Sequence, residues 1–558
     1  MEATKFSADR LAAAKEFAQT MIVVDDQAKG TPTVENVTAL TVPRRGVARA
    51  AAEGKEEVKK GSKIDHQLDS KLLIDTAMEL GLICSVLCPA TKDEDIVGRV
   101  VKAAERVDIV SLDWEMFGDS GKTAISLIRG IVLSDLKKMG RLRLISIYTG
   151  DKRLSDILAS IFNAFDDLEK SALKLGMNGS FLSGKDGLKI ICLFKKHGTQ
   201  VLPQFGIYQV SESELPSRLL NEFASIAEGL LSNVALATVA SIRSVAHHLI
   251  SRFNGRMDGP YFLHRASIGT AEDAEQYALD IVLSELKSVV DRDGVARRWA
   301  GSDAITNRID SMAKEGEALD FHYERDGKSL VAKAPVAEVK EFVISGRNSR
   351  VFSFKDEPKP TKKDYDKSFP SVFSTSLKDA QASMYEFACL TGIRSFPGSR
   401  VFNDGSGALP VLRLGTIIRK SLSEYWLCLQ AACDSVRVTT KTAFFFVPLE
   451  VVDGQPEHVV PVVDINGKIS YVGLRLISKA YTKSVSFVFE PVLCDASLRV
   501  SAVRRTNGAF SFTDIKGNSY LWVADLKQRR ALRVSQKVGA ELARIGFDEF
   551  EPFRTSNV

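Results

Sequence analysis

The chain has 558 residues, of which 45 % are hydrophobic and 26 % charged, with a formal net charge of +5. That is ordinary for a soluble globular chain, suggests roughly three or four domains, and gives no reason of its own to expect a nucleic-acid or membrane partner. The seven cysteines are an odd number and sit mostly in apolar runs, which argues against a disulfide framework, and no stretch reaches the roughly 20 apolar residues of a membrane span. The first residues mix charges without a signal-type apolar segment, so a cytoplasmic protein is expected.

Residues 6–18 have helical spacing and lead into MIVVDD, in which four apolar residues run into Asp25 and Asp26. A short apolar run without alternation reads as a buried strand of a parallel sheet. Adjacent carboxylates at its end predict a hard cation, because like charges are costly side by side. Residues 28–63 are rich in Gly, Thr, Ala and charge and carry no core periodicity. They read as a long insertion whose basic residues, among them Arg44, Arg45, Lys59 and Lys60, form a solvated linker. Strand and helix then alternate: helix 64–80, strand 82–87, helix 93–106, strand 107–113, helix 119–138, strand 142–148, helix 154–175 and strand 188–194. Such alternation predicts a doubly wound parallel sheet of five strands, with every strand end on one edge.

That edge collects Asp25, Asp26, Asp113, Thr149 and Lys195. Carboxylates suit Mg²⁺, and a cation, a hydroxyl and an ammonium together surround a phosphoryl group, with a carboxylate as its acceptor. With VVDD, DIVSLDWEM, SIYTG and LFK in this order, residues 21–198 resemble the receiver domain of two-component signalling, whose fold is flavodoxin-like. The resemblance implies that Asp25 and Asp26 hold Mg²⁺ and that Asp113 also touches the metal and accepts the phosphoryl group. It further implies that Glu115 offers its backbone carbonyl to the metal, Thr149 is the switch hydroxyl, Lys195 pairs with the phosphate, and a sensor histidine kinase is the donor. Glu115 and Asp151 flank the site and are expected to influence how a hydrolytic water approaches.

Three features depart from the family pattern: the first loop is long, the span from Thr149 to Lys195 is long, and Phe117 stands where proline is frequent. None removes a ligand. GDSGKT, residues 118–123, looks like part of a phosphate loop, but Met116 occupies the position where that pattern needs glycine. Asp119 or Ser120 reads instead as a helix N-cap.

Residues 205–345 read as a helical module, with long segments at 215–230, 235–253 and 271–290, shorter ones at 304–313 and 336–343, and a hairpin turning at Asp326-Gly327. His247, His248 and His264 read as packed or surface histidines rather than relay groups. LATVASIRSVAHHLISRF and the segments HRASIG and AEDAEQ resemble, more narrowly, the stand-alone receiver proteins of Detocs-type bacterial anti-phage systems. In that family a kinase phosphorylates receivers, one of which carries a toxic effector while another draws phosphate away.

Residues 357–366 read as a polar linker, followed by a helix at 375–390 and a strand-rich α+β domain, residues 346–558. Its strands are expected at 411–418, 443–452, 458–465, 468–472, 484–492, 499–504, 509–513 and 519–523, with hairpin turns at 466–467, 507–508 and 516–517 and a closing helix at 526–545. Cys428 and Cys433 lack a second pair or ligand-spaced histidines, and only His458 is near enough in sequence to act as a base, so buried thiols are expected. Lys527, Arg529, Arg530 and Arg533 solvate the closing helix. The chain is therefore expected to be a phosphate sink, with a second receiver–effector protein as a further partner. The alternative is a receiver gating a C-terminal enzyme or nucleic-acid-binding module.

Overall fold

Helix α1 (Lys5–Phe17) starts where the Thr4 hydroxyl accepts the Ser7 amide, and it buries Phe6, Ala13 and Ala14. After it come β1 (Thr20–Val24), α2 (Ser70–Glu79), β2 (Ile83–Leu87), α3 (Ile96–Ala104), β3 (Ile109–Leu112), α4 (Lys122–Lys137) and β4 (Arg143–Thr149). Next are α5 (Leu154–Asn163), α6 (Asp167–Leu173), β5 (Gly176–Asn178), β6 (Phe181–Ser183), β7 (Leu188–Lys195), β8 (Gln209–Val210) and α7 (Leu215–Ala224). The computed structural model describes residues 4–28, 68–90, 95–138, 140–196, 202–203, 205–268, 271–313, 318–346, 353–354, 359–402, 407–436, 438–454, 456–464, 468–491 and 498–542. They pack as two units, residues 1–316 with 340–349 and residues 317–339 with 350–558.

In the first unit five strands run parallel in the order β2-β1-β3-β4-β7. Both faces are covered. Ile22, Val24, Val110, Leu112, Ile145 and Ile147 meet α3, α4 and α5. Met21, Val23, Ile109, Leu144, Tyr148 and Ile191 meet α1, α2 and α7. This is why the strands read as unbroken apolar runs, each fully buried aliphatic contributing about 1.5–3 kcal/mol. Arg143, wholly buried at the start of β4, donates to both oxygens of Asp135 at 2.7 and 2.8 Å and to the carbonyls of Ala104 and Val107. It ties the ends of α3 and α4 to the sheet and so fixes the frame that carries the opposite edge.

Three differences from the expected five-stranded sheet are local. The β5–β6 hairpin extends the sheet antiparallel to β7, and β8 pairs parallel with β7, giving eight strands. The hairpin turns at Gly179-Ser180, where Gly179 has φ +57°, a left-handed position that favours glycine. The single helix expected at 154–175 is broken, because Asp166 and Glu169 form a capping box that starts α6. The segment 215–224, read as the start of a helical module, packs its Leu215, Leu219 and Phe223 into the sheet's core as α7.

The first unit continues with α8 (Leu230–Arg252), α9 (Asp258–Ile268), α10 (Ala271–Arg292), α11 (Val295–Ala300) and α12 (Ser302–Met312). Residues 29–63 of the expected insertion, and the turn at 466–467, lie outside the described residues. In the second unit β9 (Leu319–Arg325) and β10 (Lys328–Ala334) form the expected hairpin, with Asp326 and Gly327 at positive φ. The expected linker contains a helix, Lys362–Ser368, begun by a capping box of Thr361 and Asp364. Ten strands then build one antiparallel sheet, with Leu377–Gly392 and Gln528–Leu542 as its main helices. The strand Tyr425–Cys428, absent from the sequence reading, pairs with both Thr416–Arg419 and Thr442–Val451.

Candidate functional site

The carboxyl edge of the parallel sheet gathers all five residues singled out in the sequence. Asp25 follows β1, Asp113 follows β3, Thr149 ends β4 and Lys195 ends β7, and all four are at most 6 % exposed. Asp26, next to Asp25, is half-buried. Lys195 Nζ lies 2.8 Å from Asp25 Oδ2 and 2.9 Å from Asp113 Oδ1, so one ammonium bridges two carboxylates. The remaining oxygens are held by backbone: Asp25 Oδ1 accepts the Gln27 amide at 2.8 Å, Asp113 Oδ2 the Glu115 amide at 3.1 Å and Asp26 Oδ2 the Phe117 amide at 2.8 Å.

Burial raises the Asp113 carboxyl above the usual carboxylate range; the Lys195 ammonium pulls it back and the Asp25 charge adds to the rise. Burial works to lower the Lys195 ammonium, but Asp113 and Asp25 together hold it above its ordinary value. Lys195 also sits 5.6 Å from the centre of the Tyr148 ring, whose hydroxyl donates to the Val210 carbonyl on β8. The added strand thus fixes an aromatic wall behind the ammonium.

One buried atom has no hydrogen-bond partner among the described residues at this edge, Asp26 Oδ1. A buried carboxylate oxygen left open beside two further carboxylates is the donor chemistry of a hard divalent cation, so the residues fit Mg²⁺. Among the described residues no three His, Cys, Asp or Glu stand ready-placed around a metal, and Lys195 engages one oxygen each of Asp25 and Asp113. The Glu115 carbonyl, expected to face a metal, accepts the Gly118 amide in the turn Met116–Gly118 and has a second lone pair to offer. Thr149 Oγ1 accepts the Asp151 amide at 3.1 Å, and Asp151 pairs with Arg153 at 2.6 Å, which holds its carboxyl below the usual range.

Several contributors were not read from the sequence. Phe117 has φ 59°, a left-handed conformation that proline cannot adopt, and this aims its amide at Asp26. Cys88, after β2, donates its thiol to the Asp26 carbonyl at 3.3 Å; burial, then the Asp25 and Asp26 charges, keep that thiol protonated. The N-cap position of α4 is Gly121, in a left-handed conformation, and not the expected Asp119 or Ser120; Asp119, two residues earlier, accepts the Gly121 and Thr123 amides at 3.0 and 2.8 Å. The second glycine of GDSGKT serves packing, since a Cβ on Gly121 would lie 2.2 Å from the Trp114 indole.

The other candidates stand apart from this chemistry. The rings of His247 and His248 pack at a tilt against each other, as does His264 against Tyr277, and none of them hydrogen-bonds or pairs with the five among the described residues. Cys428 is fully buried and its thiol is pushed up to about 12, while His458 lies on a strand separated from it by two others, so they form no nucleophile–base pair. Lys527, just before the closing helix, bonds the Leu390 carbonyl, and on the helix Arg530 bonds the Glu457 carbonyl and Lys537 the Glu457 carboxylate.

Residues 17–200 match the family model of the response receiver domain. No curated protein and no solved structure matches the chain. The match covers about a third of the sequence, and it takes in β1–β4 and β7 with the whole of the edge just described.

Proposed function

We propose that this receiver accepts a phosphoryl group on Asp113 from the phosphohistidine of a partner kinase. The observation that carries the reading is the buried Asp25–Lys195–Asp113 bridge beside the open Asp26 oxygen. A carboxylate oxygen of Asp113 attacks phosphorus, the P–N bond to the kinase histidine breaks, and the departing imidazole nitrogen takes up a proton. Asp25, Asp26, Asp113 and the Glu115 carbonyl would hold Mg²⁺, which supplies charge neutralisation for the transferring group. Lys195 releases Asp113 and pairs with the new phosphate. The Thr149 hydroxyl, buried at the end of the strand next to β3, turns toward the phosphate and leaves the Asp151 amide, coupling the chemistry to the loop before α5. Asp151 and Glu115 govern the approach of hydrolytic water.

At the level of the cell, the reading is a cytoplasmic phosphate sink that competes with a receiver–effector protein for an anti-phage kinase of the Detocs type. It rests on the resemblance of residues 1–300 to such receivers. Uptake of one phosphate from a small phosphoryl donor with Mg²⁺, read by intact mass, is expected for the parent and absent for Asp113→Asn. Equal labelling of both would move the acceptor elsewhere. In cells carrying the cognate kinase and effector, Asp113→Asn is expected to cause toxicity without infection, and unchanged growth would sink the sink role.

A further inference from the structure

We infer that the second unit carries a binding site for a small organic anion, an oxyanion group on an apolar body. The site is the cleft between the free edge of the strand His458–Val463 and the strand Ser519–Leu526. His458–Val463 ends the ten-stranded sheet and pairs on one side alone, with Ile469–Leu476. The cleft has a volume of about 430 Å³, within the roughly 300–1,000 Å³ of small-molecule sites. Its apolar part is Pro461, Val462, Leu521 and Val523. The strand Ser519–Leu526 bulges at this point: Trp522 pairs with Ile418 and Ala524 with Ile417, which leaves Val523 as the extra residue. Such bulges re-aim side chains and gather next to binding sites.

The polar groups select the ligand. Arg419 lies opposite Leu521 and shares its face of the sheet. It lines the cleft half-buried, and among the described residues its guanidinium has neither a hydrogen-bond nor an ion-pair partner. Arg325, Arg413 and Arg530, also half-buried in this unit, are held by Asp364, Asp525 and the Glu457 carbonyl. A guanidinium cannot shed its charge, so an unpaired one in a cleft calls for an anion from outside the chain. Arg504 adds a second guanidinium to the lining, 5.5 Å from the centre of the Phe510 ring. The carboxylate in the lining is Asp464, which accepts the Lys468 amide. The strand edge supplies one more donor. The Asp464 amide bonds the Lys468 carbonyl, so by the alternation of an antiparallel ladder Val463 directs its N–H away from Ile469–Leu476. The same edge is closed to an added strand, because Pro461 has no N–H and the Cys389 thiol takes the Val459 carbonyl. A discrete anion that takes the Arg419 fork and the Val463 amide, with its body on Leu521 and Val523, fits these groups; an extended peptide does not. The inference does not rest on the reading of Asp113.

The test is titration calorimetry of the full chain with octanoate, octyl phosphate, octanol and inorganic phosphate, in EDTA without Mg²⁺ so that the carboxylate edge of the receiver takes up none of them. One site per chain with Kd below about 1 mM is expected for octanoate, octyl phosphate or both, and which of them binds tells a carboxylate ligand from a phosphate one. Octanol and inorganic phosphate should each bind at least about tenfold more weakly, since each lacks one half of the ligand. Arg419→Met removes a half-exposed charge that holds nothing in the fold, so Tm should stay while binding weakens at least about tenfold. Ala509→Trp, which puts bulk into the lining, should block both probes. No heat from either charged probe up to about 2 mM, octanol or inorganic phosphate binding as tightly as they do, or undiminished binding in either variant overturns the inference.

Discussion

Replacing Lys195 with methionine isolates the electrostatics of the site. The side chain keeps most of its volume, but Asp25 and Asp113 lose the cation 2.8 and 2.9 Å away. Breaking a buried ion pair by removing one partner costs about 3–5 kcal/mol. At about 2–4 °C per kcal/mol for a domain of this size, Tm should fall on the order of 10 °C near pH 8. The pH dependence follows from the direction of the Asp113 shift. Its folded carboxyl already titrates above the unfolded one, so the folded state binds more protons between the two values. Stability is therefore fully retained below the unfolded value and falls as pH rises through that window. Without Lys195 the folded carboxyl moves higher and the window extends upward. The Tm deficit of Lys195→Met should thus be smaller at pH 5 than at pH 8, and Mg²⁺ at millimolar concentration should recover part of it at pH 8. Differential scanning calorimetry of both chains at the two pH values, with and without Mg²⁺, reads all of this. A variant as stable as the parent at pH 8, or a deficit indifferent to pH, would refute the assignment of Lys195 as the neutralising cation.

Asp26→Asn should weaken Mg²⁺ binding by about tenfold or more in titration calorimetry while leaving Tm nearly unchanged, because Asn can still accept the Phe117 amide but has lost a charged ligand. Gly121→Ala places a Cβ 2.2 Å from the Trp114 indole at φ +87° and should cost about 2–4 kcal/mol, visible as a lowered urea midpoint and altered indole fluorescence. Arg143→Met leaves Asp135 and two carbonyls without their buried donor and should cost about 3–5 kcal/mol by denaturant titration. In the second unit, burial lowers His458 from 6.5 to about 4. The unfolded chain then binds the extra proton between those values, stability falls by about 3 kcal/mol as pH drops through them, and His458→Gln should flatten that acid limb.

The parallel sheet was legible because its strands are buried on both faces and so appear as unbroken apolar runs, most of them ending in a residue of the candidate site. MIVVDD, IVSLD and SIYT needed no partner information to be placed on one edge. What was not legible depends on contacts across the chain. β8 is two residues long and exists because β7 offers it a free edge. Segment 215–224 has the apolar spacing of any amphipathic helix, and only the uncovered face of the sheet decides that it closes the receiver core. The capping box at Asp166 and the Gly179-Ser180 turn were readable signals that the helical pattern of the neighbouring residues concealed. In the second unit YWLC is too short to show a period, so its strand is fixed by two flanking partners rather than by its own pattern.

The bridge made by Lys195 bears on why the proposed chemistry would need both a cation and a donor. Three carboxylates against one ammonium leave the edge with two negative charges when all are ionised, and a phosphoryl dianion approaching it is repelled. A divalent cation at the open Asp26 oxygen cancels that excess. It also competes with Lys195 for Asp25 and Asp113, since each carboxylate already spends one oxygen on a backbone amide and the other on the ammonium. Loading the site is then expected to loosen Lys195 before any phosphoryl group arrives, placing a mobile ammonium next to Asp113, the proposed acceptor. Because the Tyr148 hydroxyl on the Val210 carbonyl holds the ring behind that ammonium, Tyr148→Phe should leave Mg²⁺ affinity unchanged and alter the rate of phosphoryl uptake by less than about tenfold. A loss of Mg²⁺ binding in Tyr148→Phe would mean that β8, and not the carboxylates alone, sets the geometry of the edge.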